Sequence, residues 1–132
     1  MSIAYVTYCS APKREDAEDL PAVERYLSER IASVDRSAAK EGALFLILSG
    51  TYGLIERDHP LPWYDHLLAP EEVAPMSERA VARLASLGLS SVVWFTIDPK
   101  LDPFVSRYAR VLELATAELG LSLEVRIIEA DD

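Results

Sequence analysis

The sequence predicts an α/β fold: a three-layer Rossmann-like sandwich in which a mainly parallel sheet of about four strands is flanked by three main helices. Three observations carry this expectation. Short β-branched and apolar segments alternate with stretches whose apolar residues recur at helical spacing. Glycines stand where those helices should stop. The interior strand candidates are apolar on both faces, as in sheets covered on two sides. A length of 132 residues suits a single α/β domain spanning 1–132.

Taken in order, Ile3 to Cys9 is rich in β-branched and aromatic residues and is expected as the first strand. After a polar loop, Leu20, Val23, Leu27, Ile31 and Val34 share one helical face, with Pro21 near the first turn and Gly42 as the stop. Ala43 to Ser49 forms the second strand. A loop rich in turn formers then runs from Gly50 to about Pro70, long enough to imply a purpose. Met76, Ala80, Val81, Leu84 and Leu87 mark the next helix, with Pro75 at its start or at a break near it and Gly88 at its end. Ser91 to Ile97 is the third strand, with Trp94 as core. Asp102-Pro103 supplies an N-cap and first-turn proline for a helix packing Phe104, Tyr108, Val111, Leu112 and Ala115, ended by Gly120. Leu121 to Ile128 alternates apolar with polar residues and is placed at a sheet edge. Right-handed crossovers then give a parallel sheet, for which the order 2-1-3-4 is expected.

Charge narrows the function. A formal net charge of −9 disfavours a duplex nucleic-acid binder, which needs clustered Lys and Arg to neutralise phosphates. A single base or nucleotide requires only local positive charge. The lone Cys9 excludes an internal disulfide, and with no basic leader at the start it fits a cytoplasmic protein. No apolar run is long enough to span a bilayer. Nothing in the sequence implies a cofactor or fixes an oligomeric state.

In parallel sheets ligands bind outside the carboxyl ends of the strands, so three strand exits matter. The first presents Cys9, Ser10 and Lys13, where a hydroxyl and an ammonium three residues apart suit a phosphate or carboxylate, and equally a polar turn with a solvated lysine. No histidine neighbours Cys9 to stabilise a thiolate, which favours a buried thiol there. The second exit presents Ser49, Gly50, Thr51, Tyr52 and Gly53. Its two glycines fit a ligand cradle of main-chain amides as well as a structural turn. The spacing is not that of a Walker loop. The third presents Asp98 with Thr96 and Lys100. Downstream, Trp63, Tyr64, Asp65 and His66 offer stacking faces and proton-moving groups, but His59 and His66 show no metal-ligand spacing.

Three of these segments occur together in order: Cys9-Ser10-x-x-Lys13, Leu48-Ser49-Gly50-Thr51-Tyr52-Gly53-Leu54 and Pro62-Trp63-Tyr64-Asp65. This resembles a family of small domains of unknown function carrying a Ser-Ala-Lys-Tyr-Gly-Leu-Leu segment followed by Pro-Tyr-Asp. It is also similar in order to the peroxide-stress YaaA family and to a module of archaeosine synthases. The resemblance covers the first half of the chain by motif and the second by element order. One departure is clear: Thr51 stands where the family has lysine before Tyr-Gly. The resemblance implies a site of Ser10, Lys13, Ser49, Tyr52, Tyr64 and Asp65 for a nucleobase, a nucleoside or a nucleic-acid end. The expected protein is then a base-handling enzyme of glycosidase or base-transfer type. Lys13 and Ser10 would hold the anionic or sugar part, Tyr52 and Tyr64 would flank the base, and Asp65 would act as acid/base. The alternative is a non-catalytic stress-response module that binds a ligand or a partner.

Overall fold

The computed structural model describes residues 2–128. In chain order they form β1 (Ile3–Tyr8), β2 (Leu20–Pro21), α1 (Ala22–Arg25), α2 (Glu29–Glu41), β3 (Leu44–Ser49), β4 (Gly53–Glu56) and β5 (Pro60–Leu61). A 3-10 turn at Pro70–Glu72 leads into α3 (Val73–Leu87), followed by β6 (Ser91–Thr96), α4 (Val105–Leu119) and β7 (Ser122–Ile127). The five-stranded sheet has the order β4-β3-β1-β6-β7, and β2 pairs with β5 in a small separate ribbon. The four expected strands lie in the expected order and run parallel, with β4 added antiparallel on the outer edge of β3.

Residue alternation along β1 fixes the layers. Thr7 faces α2, where its hydroxyl accepts a hydrogen bond from Arg30 Nη1 at 2.7 Å. Its neighbour Tyr8 faces the other way, its ring 5.9 Å from those of Trp94 and Tyr108. So α2 covers one face and α4, packed on α3, covers the other. Val6, Leu46, Leu48 and Trp94 are almost wholly buried between the sheet and these helices. Burial of each such side chain stabilises by about 1.5–3 kcal/mol.

Three expectations need correction. The helix expected from Leu20 begins at Glu29 instead. Leu20–Pro21 is strand, α1 is a single turn, and Tyr26 is extended at φ −81° and ψ 132°. The cause is tertiary: Lys13 bridges to Tyr26, and Leu27 N donates to Pro12 O at 2.9 Å, so residues 12–14 hold Tyr26 extended. Ser28 then caps α2, its side chain accepting from Ile31 N at 3.2 Å. Leu27, expected on the buried stripe, is 52% exposed.

The second correction concerns the stretch from Gly50 to Pro70, which is not a plain loop. After a short turn, Gly53 at φ +75° starts β4, and Leu54 and Ile55 pair with Leu48 and Ile47. This raises the strand count to five. The last helix also starts later than expected, at Val105, with the Asp102 carboxylate accepting from Phe104 N at 3.0 Å in the turn before it. Among the described residues no helix is long and apolar enough to cross a membrane.

Arg25 is a fully buried cation that the sequence did not flag. Its Nε donates to Leu61 O at 3.1 Å, and its Nη groups donate to the carbonyls of Arg14, Asp16 and Glu18. This one guanidinium ties the 14–18 loop to β5.

Candidate functional site

The strand order reverses direction at β1: the chain leaves toward β3, then crosses back to β6 on the other side. The register sets Thr7 of β1 beside Phe95 of β6, so the carboxyl ends of these strands open together. A cavity of about 150 Å³ lies there, at the switch point where ligands bind in such sheets. Its walls include Tyr8, Cys9, Ser10 and Lys13 from the β1 exit, Ile97 after β6, Phe104 and Tyr108 from the α4 region, and Asp65 and His66 from the segment after β5.

Lys13 is held in place by its main chain. Residues 12–14 run against 25–27, with Arg14 N donating to Arg25 O at 2.7 Å. Only 9% of Lys13 is exposed. Its ammonium donates to Ala11 O at 3.3 Å and lies 4.6 Å from the ring centroid of Tyr64 and 5.8 Å from that of Tyr26. Both rings can favour the cation through their π faces. Burial nevertheless pushes the amine below its ordinary lysine range, with Cys9 and Asp65 pulling in the opposite direction.

Beneath Lys13 runs a line of buried hydroxyls. Tyr64 Oη bonds to Tyr26 Oη and, at 2.8 Å, to Ser49 Oγ. Ser49 Oγ also accepts from Thr51 N at 3.1 Å and Tyr52 N at 3.0 Å. With both lone pairs taken, its proton points at Tyr64, leaving the Tyr64 proton for Tyr26. Burial pushes both phenols far above the ordinary tyrosine range, so they remain neutral hydroxyls. The amides of Thr51 and Tyr52 thus serve the Ser49 hydroxyl.

Gly50 answers a different need. A Cβ there would meet His66 O at 3.0 Å and both Leu68 N and the Tyr108 hydroxyl at 3.1 Å. The glycine lets the 66–68 backbone and α4 close onto the end of β3. Tyr108 Oη accepts from Leu68 N at 3.1 Å and faces Cys9 Sγ at 3.7 Å, so the expected buried thiol is found.

The structure therefore gathers Cys9, Ser10, Lys13 and Asp65 around one cavity. The Ser10 hydroxyl donates to Pro12 O at 2.8 Å and shapes the loop that carries Lys13. Gly50, Thr51, Tyr64 and Asp65 border a second, more open hollow of about 560 Å³ with Arg79, and the Asp65-His66 segment forms the wall between the two. Tyr52 and Gly53 line neither; Tyr52 packs edge-on against Tyr64 at 5.2 Å. Asp98 lines neither as well, its carboxylate accepting from Lys100 N at 2.9 Å. Trp63 is exposed, while Tyr64 is the aromatic that pins the segment to the core. His66 is paired with Glu72 at 2.8 Å, and among the described residues no metal-ligand cluster forms.

Compared with models of known families, with curated proteins and with solved structures, the chain has no match. Its chemistry must be argued from its own residues.

One of these was missed. Arg30 of α2 is wholly buried in the cavity wall, stacked 3.6 Å from the centre of the Tyr8 ring. It donates to Thr7 Oγ1, Tyr8 O and Cys9 O, fixing the last residues of β1. A signal existed: position 30 lies one turn before Val34 on the buried stripe.

Proposed function

We propose that this protein handles a nucleobase or nucleoside in the cavity between the ends of β1 and β6, as an enzyme of glycosidase or base-transfer type. The reading treats the layered sheet as Rossmann-like and keeps the motif resemblance to the domain of unknown function and to the YaaA and archaeosine-synthase modules. It is carried by one observation: a cavity with a buried amine, Lys13, and a carboxylate, Asp65, on its walls. At about 150 Å³ it has the size of an engineered cavity of ~150 Å³ that accepts a benzene ring. Phe104, Tyr8 and Tyr108 offer aromatic surface on which a base can rest.

In this mechanism Asp65, which is exposed to solvent, takes a proton from an attacking water. The water oxygen bonds to the sugar carbon as the carbon–nitrogen bond breaks. Lys13 gives a proton to the departing ring nitrogen, a task for which its lowered amine range suits it. Ser10 and the cationic Lys13 also orient the sugar or an attached anionic group. Tyr64 sets the position of the Lys13 ammonium through its ring face and offers its hydroxyl to neither substrate nor water.

The second reading, a non-catalytic binding module, draws support from Thr51. It borders the open hollow at the position where the resembling family carries lysine. The test is thermal unfolding of wild type, Lys13→Ala and Asp65→Asn against bases, nucleosides, nucleotides and short single strands. A ligand present at a hundred times its dissociation constant adds ~2.7 kcal/mol of stability. Stabilisation by one class, abolished in Lys13→Ala, together with base release that disappears in Asp65→Asn, is the expected result. Binding without turnover would favour the second reading. No stabilisation by any of these compounds would overturn the nucleobase assignment.

A further inference from the structure

We infer that β7 is a pairing edge for a second copy of this chain, in antiparallel register centred on Val125. The sheet has two edges. One, β4, is four residues long and has α3 packed against it. The other, β7, is six residues long, and among the described residues no strand pairs with its outer side. It lacks the usual guards of an exposed edge, proline or a lysine row, and leaves Val125 50% and Ile127 56% exposed.

The backbone fixes which groups point outward. Ile128 N donates to Thr96 O at 2.8 Å, so residue 128 directs its amide at β6. Alternation then directs the amides and carbonyls of 126 and 124 toward β6, and those of 123, 125 and 127 toward the open side. A two-fold pairing centred on Val125 therefore exchanges hydrogen bonds at 125 with 125, and at 123 with 127, using only groups that face outward.

The side chains select the same register. It sets Glu124 opposite Arg126 of the second copy, and Arg126 opposite Glu124. Both fall at non-hydrogen-bonded positions, where facing side chains are closest. It also sets Val125 against itself and Leu123 against Ile127. Centring on 124 or on 126 would instead place like charges face to face. Within one chain Glu124 and Arg126 already share a face, 2.5 Å apart, with the Arg126 guanidinium also lying over the rings of Phe95 and Tyr5.

The full chain is tested by sedimentation across a concentration series. Wild type is expected to move from 14.7 kDa toward twice that mass. Glu124→Arg and Arg126→Glu should each remain monomeric, since each sets like charges opposite one another. Mixing the two should restore a dimer, because each strand then meets its opposite. Val125→Pro removes an outward amide that β6 does not use, and should give a folded monomer by circular dichroism. A wild type that stays at 14.7 kDa throughout would overturn the inference. So would a dimer that persists in Val125→Pro, or a mixture of the two charge variants that stays monomeric.

Discussion

The hydroxyl line under Lys13 gives a prediction whose sign depends on proton direction. Tyr26→Phe leaves one buried group without a partner, the Tyr64 proton. Tyr64→Phe leaves two, the Ser49 proton and the Tyr26 hydroxyl. A buried polar group left unpaired costs about 1–3 kcal/mol. Tyr26→Phe should therefore cost about 1–3 kcal/mol and Tyr64→Phe, with two such groups, about 2–6 kcal/mol. The double variant leaves only the Ser49 proton unpaired, so it should be no less stable than Tyr64→Phe alone. The cycle should then be non-additive by about 2–6 kcal/mol, twice the cost of one unpaired group. Urea unfolding followed by tryptophan fluorescence, with Trp63 and Trp94 as reporters, measures all four proteins. Additivity within ~0.5 kcal/mol would refute a shared chain of hydroxyls, and so would a Tyr26→Phe cost larger than that of Tyr64→Phe.

Two further outcomes are expected from the same region. Gly50→Ala should destabilise by about 1–3 kcal/mol, because the added methyl meets main-chain atoms of His66 and Leu68 that can move only with α4; thermal melts would show it, and an unchanged midpoint would deny the close approach. Lys13→Met should stabilise the protein near neutral pH. Burial lowers the folded-state pKa of Lys13, so between that value and the unfolded value of ~10.4 the unfolded chain binds more protons and wild-type stability climbs with pH. The advantage of Lys13→Met should therefore shrink toward ~10.4, and a gap constant with pH would contradict the burial argument.

What could be read from the sequence followed from local pattern. The four parallel strands are apolar or alternating runs bounded by turn residues, and Gly42, Gly88 and Gly120 end their helices in left-handed conformation at φ 69°, 63° and 68°. What escaped depended on distant contacts. The 20–34 stripe has a consistent helical period, yet the 12–14 segment pulls Tyr26 straight, and the cap at Ser28 was the local clue to the true start. β4 is only four residues long, too short for alternation to stand out between Gly53 and Asp58. Of the site, Ser10, Lys13 and Asp65 were legible because polar groups after buried strands collect at one sheet end. Arg30 was not, because an arginine on a helix ordinarily reads as solvated; only the fold shows its guanidinium turned to the β1 carbonyls. Asp98 misled for the converse reason, an acidic residue at a strand exit whose carboxylate closes its own turn.

The attachment of the 14–18 loop has a consequence for how freely this region can change. Arg25 grips main-chain carbonyls of Arg14, Asp16 and Glu18, and carbonyls are the same whatever side chain a residue bears. The loop can therefore drift in composition, from acidic to neutral or basic, without losing its anchor. Position 25 has no such latitude. A lysine carries one ammonium in place of the planar fork and cannot reach carbonyls on both the loop and β5 at once. Variation in what this loop presents to its surroundings should accumulate at 14–18 while a single distant residue stays fixed.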